Sequence, residues 1–281
     1  GALPLSAESI ERAIELNGEA VPMNLAAFQF GRRAAFDLAS VEALIKPAPE
    51  SASDARRLSQ SFDETVARRV AFLTDYQNAA YAARYEALVG KVQAAEAAKA
   101  PGKRGLAEAV ARYLFKLMAY KDEYEVARLY AEPSFLAQVK NEVAGENVRL
   151  KFHLAPPLFA RKDKVTGLPK KMTLGPYMLP AFRMLAKFKG LRGTAFDIFG
   201  YSEERRTERK LIADYEALLA EIMSKLTPEN HHLAVGLANI PEKIRGFGHV
   251  KARHLVAAKA DEAALLDQFR SGNAPALKAA E

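Results

Sequence analysis

The sequence predicts a mainly α protein, a helical bundle with a small antiparallel β element around residues 148–174. Three observations lead there. Apolar side chains recur at intervals of three and four along most of the chain, the spacing that lines up one face of a helix. Ser6, Ser61, Ser202 and Thr227 stand ahead of such stretches as N-caps. Only near Val148–Leu154 does the period change to two, with Val148, Leu150, Phe152 and Leu154 alternating with Arg149, Lys151 and His153, as in a half-buried strand.

Ser6, followed by Ile10, Ala13, Ile14 and Leu16, predicts a first helix ending at Asn17-Gly18. A second runs from about Val21 to Phe36. Pro47, Pro49 and their small or acidic neighbours read as a linker, placing a first unit at 1–45 and a linker at 46–60. Ser61-Phe-Asp-Glu64 is a capping box, and the stripe from Val66 to Val92 predicts one helix from Phe62 to about Ala98. Helices follow at Leu106–Tyr120, at about Glu123–Ala131, and from Pro133 to near Gly145. Charge and turn residues from Lys162 to Lys171 separate the first strand from Met172-Thr-Leu174, which pairs back on it. Leu179–Lys189 reads as a short helix.

Ser202, with Glu203 and Glu204 in the first turn, starts the clearest stripe of the chain: Leu211, Ile212, Tyr215, Leu218, Leu219, Ile222 and Leu226. Thr227-Pro228 predicts a helix to about Asn239, Pro241 a single turn ended by Gly246, and Val250–Phe269 a helix with a weak point near Ala260. The accessory helical unit thus covers 61–270, and 271–281 reads as a frayed tail.

Composition narrows the function classes. Hydrophobic residues make up 49% of the 281, enough for a large core, and the 27% charged residues are ordinary for a globular chain. The net charge of +7 favours acidic partners without choosing among them. Cysteine is absent, which excludes disulfides and thiolate ligation of an iron–sulfur cluster by this chain. Its longest apolar runs fall far short of a membrane span of about 20 residues. Gly1-Ala2, without Met, reads as a processed end, a tag scar or an excised fragment.

Several segments are recognisable together. Leu117-Met-Ala-Tyr-Lys-Asp-Glu-Tyr-Glu-Val-Ala-Arg-Leu129 resembles the C-terminal region of fused bacterial indolepyruvate:ferredoxin oxidoreductases, members of the 2-oxoacid:ferredoxin oxidoreductase family. Leu150-Lys-Phe-His-Leu-Ala-Pro-Pro157, Leu191-Arg-Gly-Thr-Ala-Phe-Asp197, Phe199-Gly-Tyr201, Leu211-Ile-Ala-Asp-Tyr-Glu216 and Ile244-Arg-Gly-Phe-Gly-His-Val-Lys251 resemble it too. The likeness runs from about Asp63 to Val256. Ala13–Gly18 and Asn24–Phe28 with Gly31 resemble the last helices of the family's gamma-type catalytic domain.

The resemblance implies an enzyme that converts arylpyruvates to acyl-CoA and carbon dioxide and passes electrons to ferredoxin. Thiamine diphosphate with magnesium and iron–sulfur clusters would serve it. The chain has neither the Gly-Asp-Gly diphosphate–magnesium motif nor cysteine, so those cofactors are expected in domains upstream. On its own the chain is expected to be catalytically inert and to need no cofactor. Its helical arm from Ser6 to Phe36 is expected to look orphaned. The upstream domains of the same polypeptide are its expected partners, in a cytoplasmic enzyme that is homo-oligomeric at full length.

Among candidate sites, Gly246-Phe-Gly248 lacks the third glycine and the preceding strand of a dinucleotide loop, and reads better as a helix stop and restart with Gly246 at positive φ. His231-His232 point about 100° apart on a helix and read as its solvated start rather than a metal site. No hydrolase elbow or Walker loop is present.

The basic residues are the strongest feature. Lys151, Arg161, Lys162, Lys164, Lys170 and Lys171 surround the hairpin, and Arg183, Lys187, Lys189, Arg192, Arg245, His249, Lys251 and Arg253 are candidates to join them. Three readings stay open: a solvated surface, a docking surface for ferredoxin or the phosphates of coenzyme A, and a contact with the catalytic domains. Nucleic acid fits poorly, since Trp is absent and no RNA-binding motif appears. The competing assignment is an independent basic binding or scaffolding module for an acidic protein or phosphorylated ligand. A purely structural spacer is a third.

Overall fold

A computed structural model describes residues 5–44, 59, 61–142, 150–154 and 172–271, without the side chains of 140–142 and 249. It is mainly α-helical with one two-stranded antiparallel sheet, as the sequence predicts. The chain divides into two compact units, Gly1–Leu58 and Ser59–Glu281.

The first unit holds α1 (Ala7–Asn17), α2 (Val21–Phe36) and α3 (Leu38–Glu42). Ser6 caps α1 by accepting the Ser9 N–H, and Gly18 ends it at φ 72°, where a side chain would strain the turn. Asp37 caps α3 in the same way as Ser6. No residue of these helices is buried, and Leu16 and Phe36 are 72% and 95% exposed.

The second unit is built round α6 (Leu106–Met118), most of whose residues are buried. Against it pack α4 (Phe62–Tyr76), α5 (Ala79–Lys99), α10 (Glu203–Lys225) and α11 (His231–Asn239). The continuous helix expected over 62–98 is two. Gln77 ends α4, and Asn78 starts α5, its side-chain oxygen accepting the Tyr81 N–H at 2.9 Å. Tyrosine hydroxyls tie the layers together. Tyr76 donates to the Tyr120 carbonyl, Tyr81 to Met118, Tyr85 to Ala111 and Tyr215 to Ala238. Those of Tyr76 and Tyr81 satisfy carbonyls at and beyond the C-terminal end of α6, which lack an intrahelical partner.

The predicted stripe of α10 is buried from Leu211 to Ile222. Its successor begins later than Pro228, because Thr227 and Asn230 close a reciprocal turn and α11 starts at His231. Then α12 runs as one helix over Gly248–Ser271, as expected, and continues through Ala260.

A second, smaller core lies between α7 (Glu123–Ala131), α9 (Met178–Lys187) and the hairpin. Strands β1 (Phe152–Leu154) and β2 (Met172–Leu174) pair antiparallel, with His153 opposite Thr173. Ala127, Phe152 and Phe182 are buried there, with Tyr130 packed against them. Helix α8 (Pro133–Glu142) follows α7. Of the expected linker at 46–60 only Ser59 is described, and the first strand residues Val148 and Arg149 and the tail after 271 lie outside the described residues.

Candidate functional site

The turn after α9 carries the densest polar cluster among the described residues. A 3-10 turn over Phe188–Leu191 leads into Arg192, which is 4% exposed. Its guanidinium grips both oxygens of Asp122, Nη2 donating to Oδ1 at 2.8 Å. Nη1 donates to the Tyr76 carbonyl at 2.7 Å, and the guanidinium plane lies 3.7 Å over the Tyr76 ring. Asp122 also caps α7, accepting the Glu125 N–H at 2.9 Å. One carboxylate therefore starts a helix and neutralises a buried cation, the condition on which such a cation is tolerated.

Asp197 forms a second knot five residues on. Its Oδ2 accepts the Gly193 N–H at 2.8 Å, and its Oδ1 accepts the Gly200 N–H at 3.0 Å and the Tyr124 hydroxyl at 3.2 Å. A Cβ on Gly200 would lie 2.5 Å from Asp197 Oδ2, so only glycine fits. Arg209 Nη2 donates to the Gly200 carbonyl at 2.6 Å, and Arg205 pairs with Glu123. These locks hold Phe196 and Ile198 outward, at 77% and 61% exposed.

The electrostatics are those of a clamp. Burial pushes the Tyr76 phenol far up, against the opposing pull of Arg192. Burial and then the Asp197 carboxylate do the same to Tyr124. Burial pushes Tyr120 up to about 12. Burial alone would lower Arg192, but its hydrogen bonds to Asp122 together with the charge interactions of Tyr76, Asp122 and Tyr120 leave it raised. These phenols and the Arg192 guanidinium therefore stay protonated through the neutral range.

A further buried couple corrects a sequence reading. His231 is not a solvated helix start but 5% exposed, with Nε2 2.7 Å from Glu96 Oε1. Glu96 reaches from α5 to accept the Leu106 and Ala107 N–H groups, capping α6 from outside its own chain segment. Gly246 does stand at positive φ, 86°, where the 3-10 turn stops and α12 begins.

The basic residues of the predicted set that are described stand in different settings. Arg192 is in the core, not on a surface. Lys251 holds Glu208 at 2.5 and 2.6 Å, and Arg245 is exposed but paired with Glu242 at 3.2 Å. Lys151 is exposed beside β1. Arg161, Lys162, Lys164, Lys170 and Lys171 lie outside the described residues, as does the His249 side chain. Asp122, Asp197 and Glu96 escaped the sequence reading, although Asp122 precedes an acidic helix start in the manner of a cap. No group of three His, Asp or Glu among the described residues is placed to hold a metal ion. No helix among them is long and apolar enough to cross a membrane.

Residues 62–264 match the model of a family of unknown function, DUF6537, and the chain belongs to that family. No curated protein matches the chain. No solved structure matches it either.

Proposed function

We propose that this member of DUF6537 is the non-catalytic C-terminal accessory body of a fused 2-oxoacid:ferredoxin oxidoreductase of the indolepyruvate type. One observation carries the reading. The segments that resemble that enzyme, 117–129, 191–201, 211–216 and 244–251, supply the side chains of the buried locks: Asp122 and Tyr124, Arg192 and Asp197, Tyr215, and Lys251 against Glu208. A likeness concentrated in supporting contacts fits a body that holds other domains rather than one that turns over substrate.

In this reading arylpyruvate decarboxylation to acyl-CoA and electron transfer to ferredoxin belong to upstream domains. The donor set does not fit a cluster or a thiamine diphosphate–magnesium site: the chain has no cysteine, and among the described residues the buried Glu96, Asp122 and Asp197 are committed to histidine, arginine and backbone N–H groups. The chain is incubated with thiamine diphosphate, magnesium, coenzyme A, indolepyruvate and an electron acceptor. No turnover is expected; acyl-CoA formation refutes the proposal. A reading frame with a Gly-Asp-Gly motif and cysteine clusters upstream is the matching genetic expectation.

The net charge of +7 supports a second reading, an independent basic module for an acidic protein or phosphorylated ligand. A complete gene that begins near Leu3 would favour it.

A further inference from the structure

Helix α9 uses one face for the small core and leaves the rest open. Phe182 is buried there, with Leu179, Leu185 and Ala186 packed beside it. Round from this face, Arg183 and Lys187 stand one helical turn apart and exposed. Neither has an ion-pair partner among the described residues, whereas neighbouring Arg128 is held by Glu125, Lys189 by the Asp75 carbonyl and Arg192 by Asp122. Farther round, Tyr177, Met184 and Phe188 form an apolar stripe, 68%, 63% and 44% exposed.

On the other side of the two cations lies a groove. Two adjoining hollows of about 480 and 550 Å³ share Ala131, Pro133 and Arg183. Leu136 and Ala137 of α8 extend the apolar wall, and Lys187 stands on the opposite lip. The arrangement is a cationic ridge between the exposed apolar stripe and a groove that is apolar beside α8 and charged at its other end, where Asp75, Arg128, Glu132 and Lys189 line it. A helix apolar beyond its core-facing stripe has a second surface to bury. Met, Phe, Tyr and Arg are the side chains enriched where proteins meet.

Charge selects the occupant. A second copy would bring the same net +7. The segment 155–171 would bring Arg161, Lys162, Lys164, Lys170 and Lys171 against Asp163 alone. Both are repelled by Arg183 and Lys187. We infer that the α8–α9 groove and its basic ridge dock an acidic polypeptide segment of a partner protein, its carboxylates on Arg183 and Lys187 and its apolar side chains in the groove and on Met184. This surface is separate from the buried locks, so the inference stands or falls independently of the proposed function.

The probe is a fluorescein-labelled peptide in which Glu pairs alternate with Leu and Phe, titrated with the 281-residue chain and followed by anisotropy. Saturable binding is expected. R183E/K187E weakens it by about tenfold or more, the scale for reversed interfacial charge. M184D weakens it separately, and K91E/K103E, the same charge change at exposed lysines elsewhere, leaves it within about twofold. The inference is overturned if R183E/K187E acts no more strongly than K91E/K103E, or if a Glu/Ser peptide binds as tightly. It is equally overturned if M184D only disperses a dimer in sedimentation, or if the ridge binds phosphatidylserine vesicles and not the peptide.

Discussion

The two cores of the second unit are stabilised differently. The large one, round α6, buries Leu114, Met118, Leu219, Ile222 and Leu237 completely, and polar groups enter it mainly as tyrosine hydroxyls pinned to carbonyls. The small one rests on an aromatic triangle. Tyr130, Phe152 and Phe182 sit with ring centroids 5.0–5.5 Å apart. Two three-residue strands and two short helices do not bury enough surface to stand alone. The Asp122–Arg192 pair, at the root of α7 and the end of α9, ties this outpost to the main body. Area stabilises the first region; one desolvated ion pair with its hydrogen bonds positions the second.

The largest expected effect comes from alkali. Tyr76, Tyr81, Tyr120, Tyr124 and Tyr215 all have phenols raised by burial, so the folded chain keeps protons that the unfolded chain loses above about pH 10. Their stabilisation is complete below the ordinary phenol range and is lost as pH rises from that range towards the raised values of the folded state. Phenolate absorbance of the buried set should therefore appear together with loss of helical circular dichroism. Ionisation well before unfolding would show the large core to be looser than described.

Next is Arg192→Leu, which strands Asp122 in the core and should cost about 3–5 kcal/mol in urea denaturation. The double variant D122L/R192L should recover much of this, because the stranded charge is gone. Equal losses in single and double variants would mean that the clamp does not join the two regions.

Leu114→Ala should cost about 2–5 kcal/mol of global stability. Phe182→Ala should instead speed amide exchange in the hairpin and α9 before it moves the main transition. If both shift the same cooperative step equally, the two cores are one.

The smallest effect lies at the far edge of the large core. Hydrogen bonds from Arg270 and then Lys225 hold the Glu221 carboxyl down to about 2. That tie is present above the usual carboxylate range and is lost as pH falls towards about 2. Arg270→Gln should make the last turn of α12 exchange faster at neutral pH and remove its acid sensitivity.

What could be read from residue order was local. The α10 stripe and the Ser61 cap, which accepts the Glu64 N–H, need only neighbours within a few positions. The break at Asn78 was hidden because apolar spacing continues across it, while an Asn side chain is free to cap wherever the backbone turns. His231 and Arg192 were misplaced for a different reason. Their partners Glu96 and Asp122 stand 135 and 70 positions away, and Lys187 and Lys189 beside Arg192 gave it the appearance of surface. The candidate site was legible as segments, through the resemblance, but not as contacts.

Asp122 and Arg192 also close a ring of chain between them. Everything from α7 through the hairpin to α9 leaves the main body at one residue and returns at its ionic mate. Lengthening a closed loop costs only about 0.6 kcal/mol per doubling. A change in the number of residues between Asp122 and Arg192 is therefore expected to cost the trunk little, because the two ionic mates fix where the chain departs and where it rejoins.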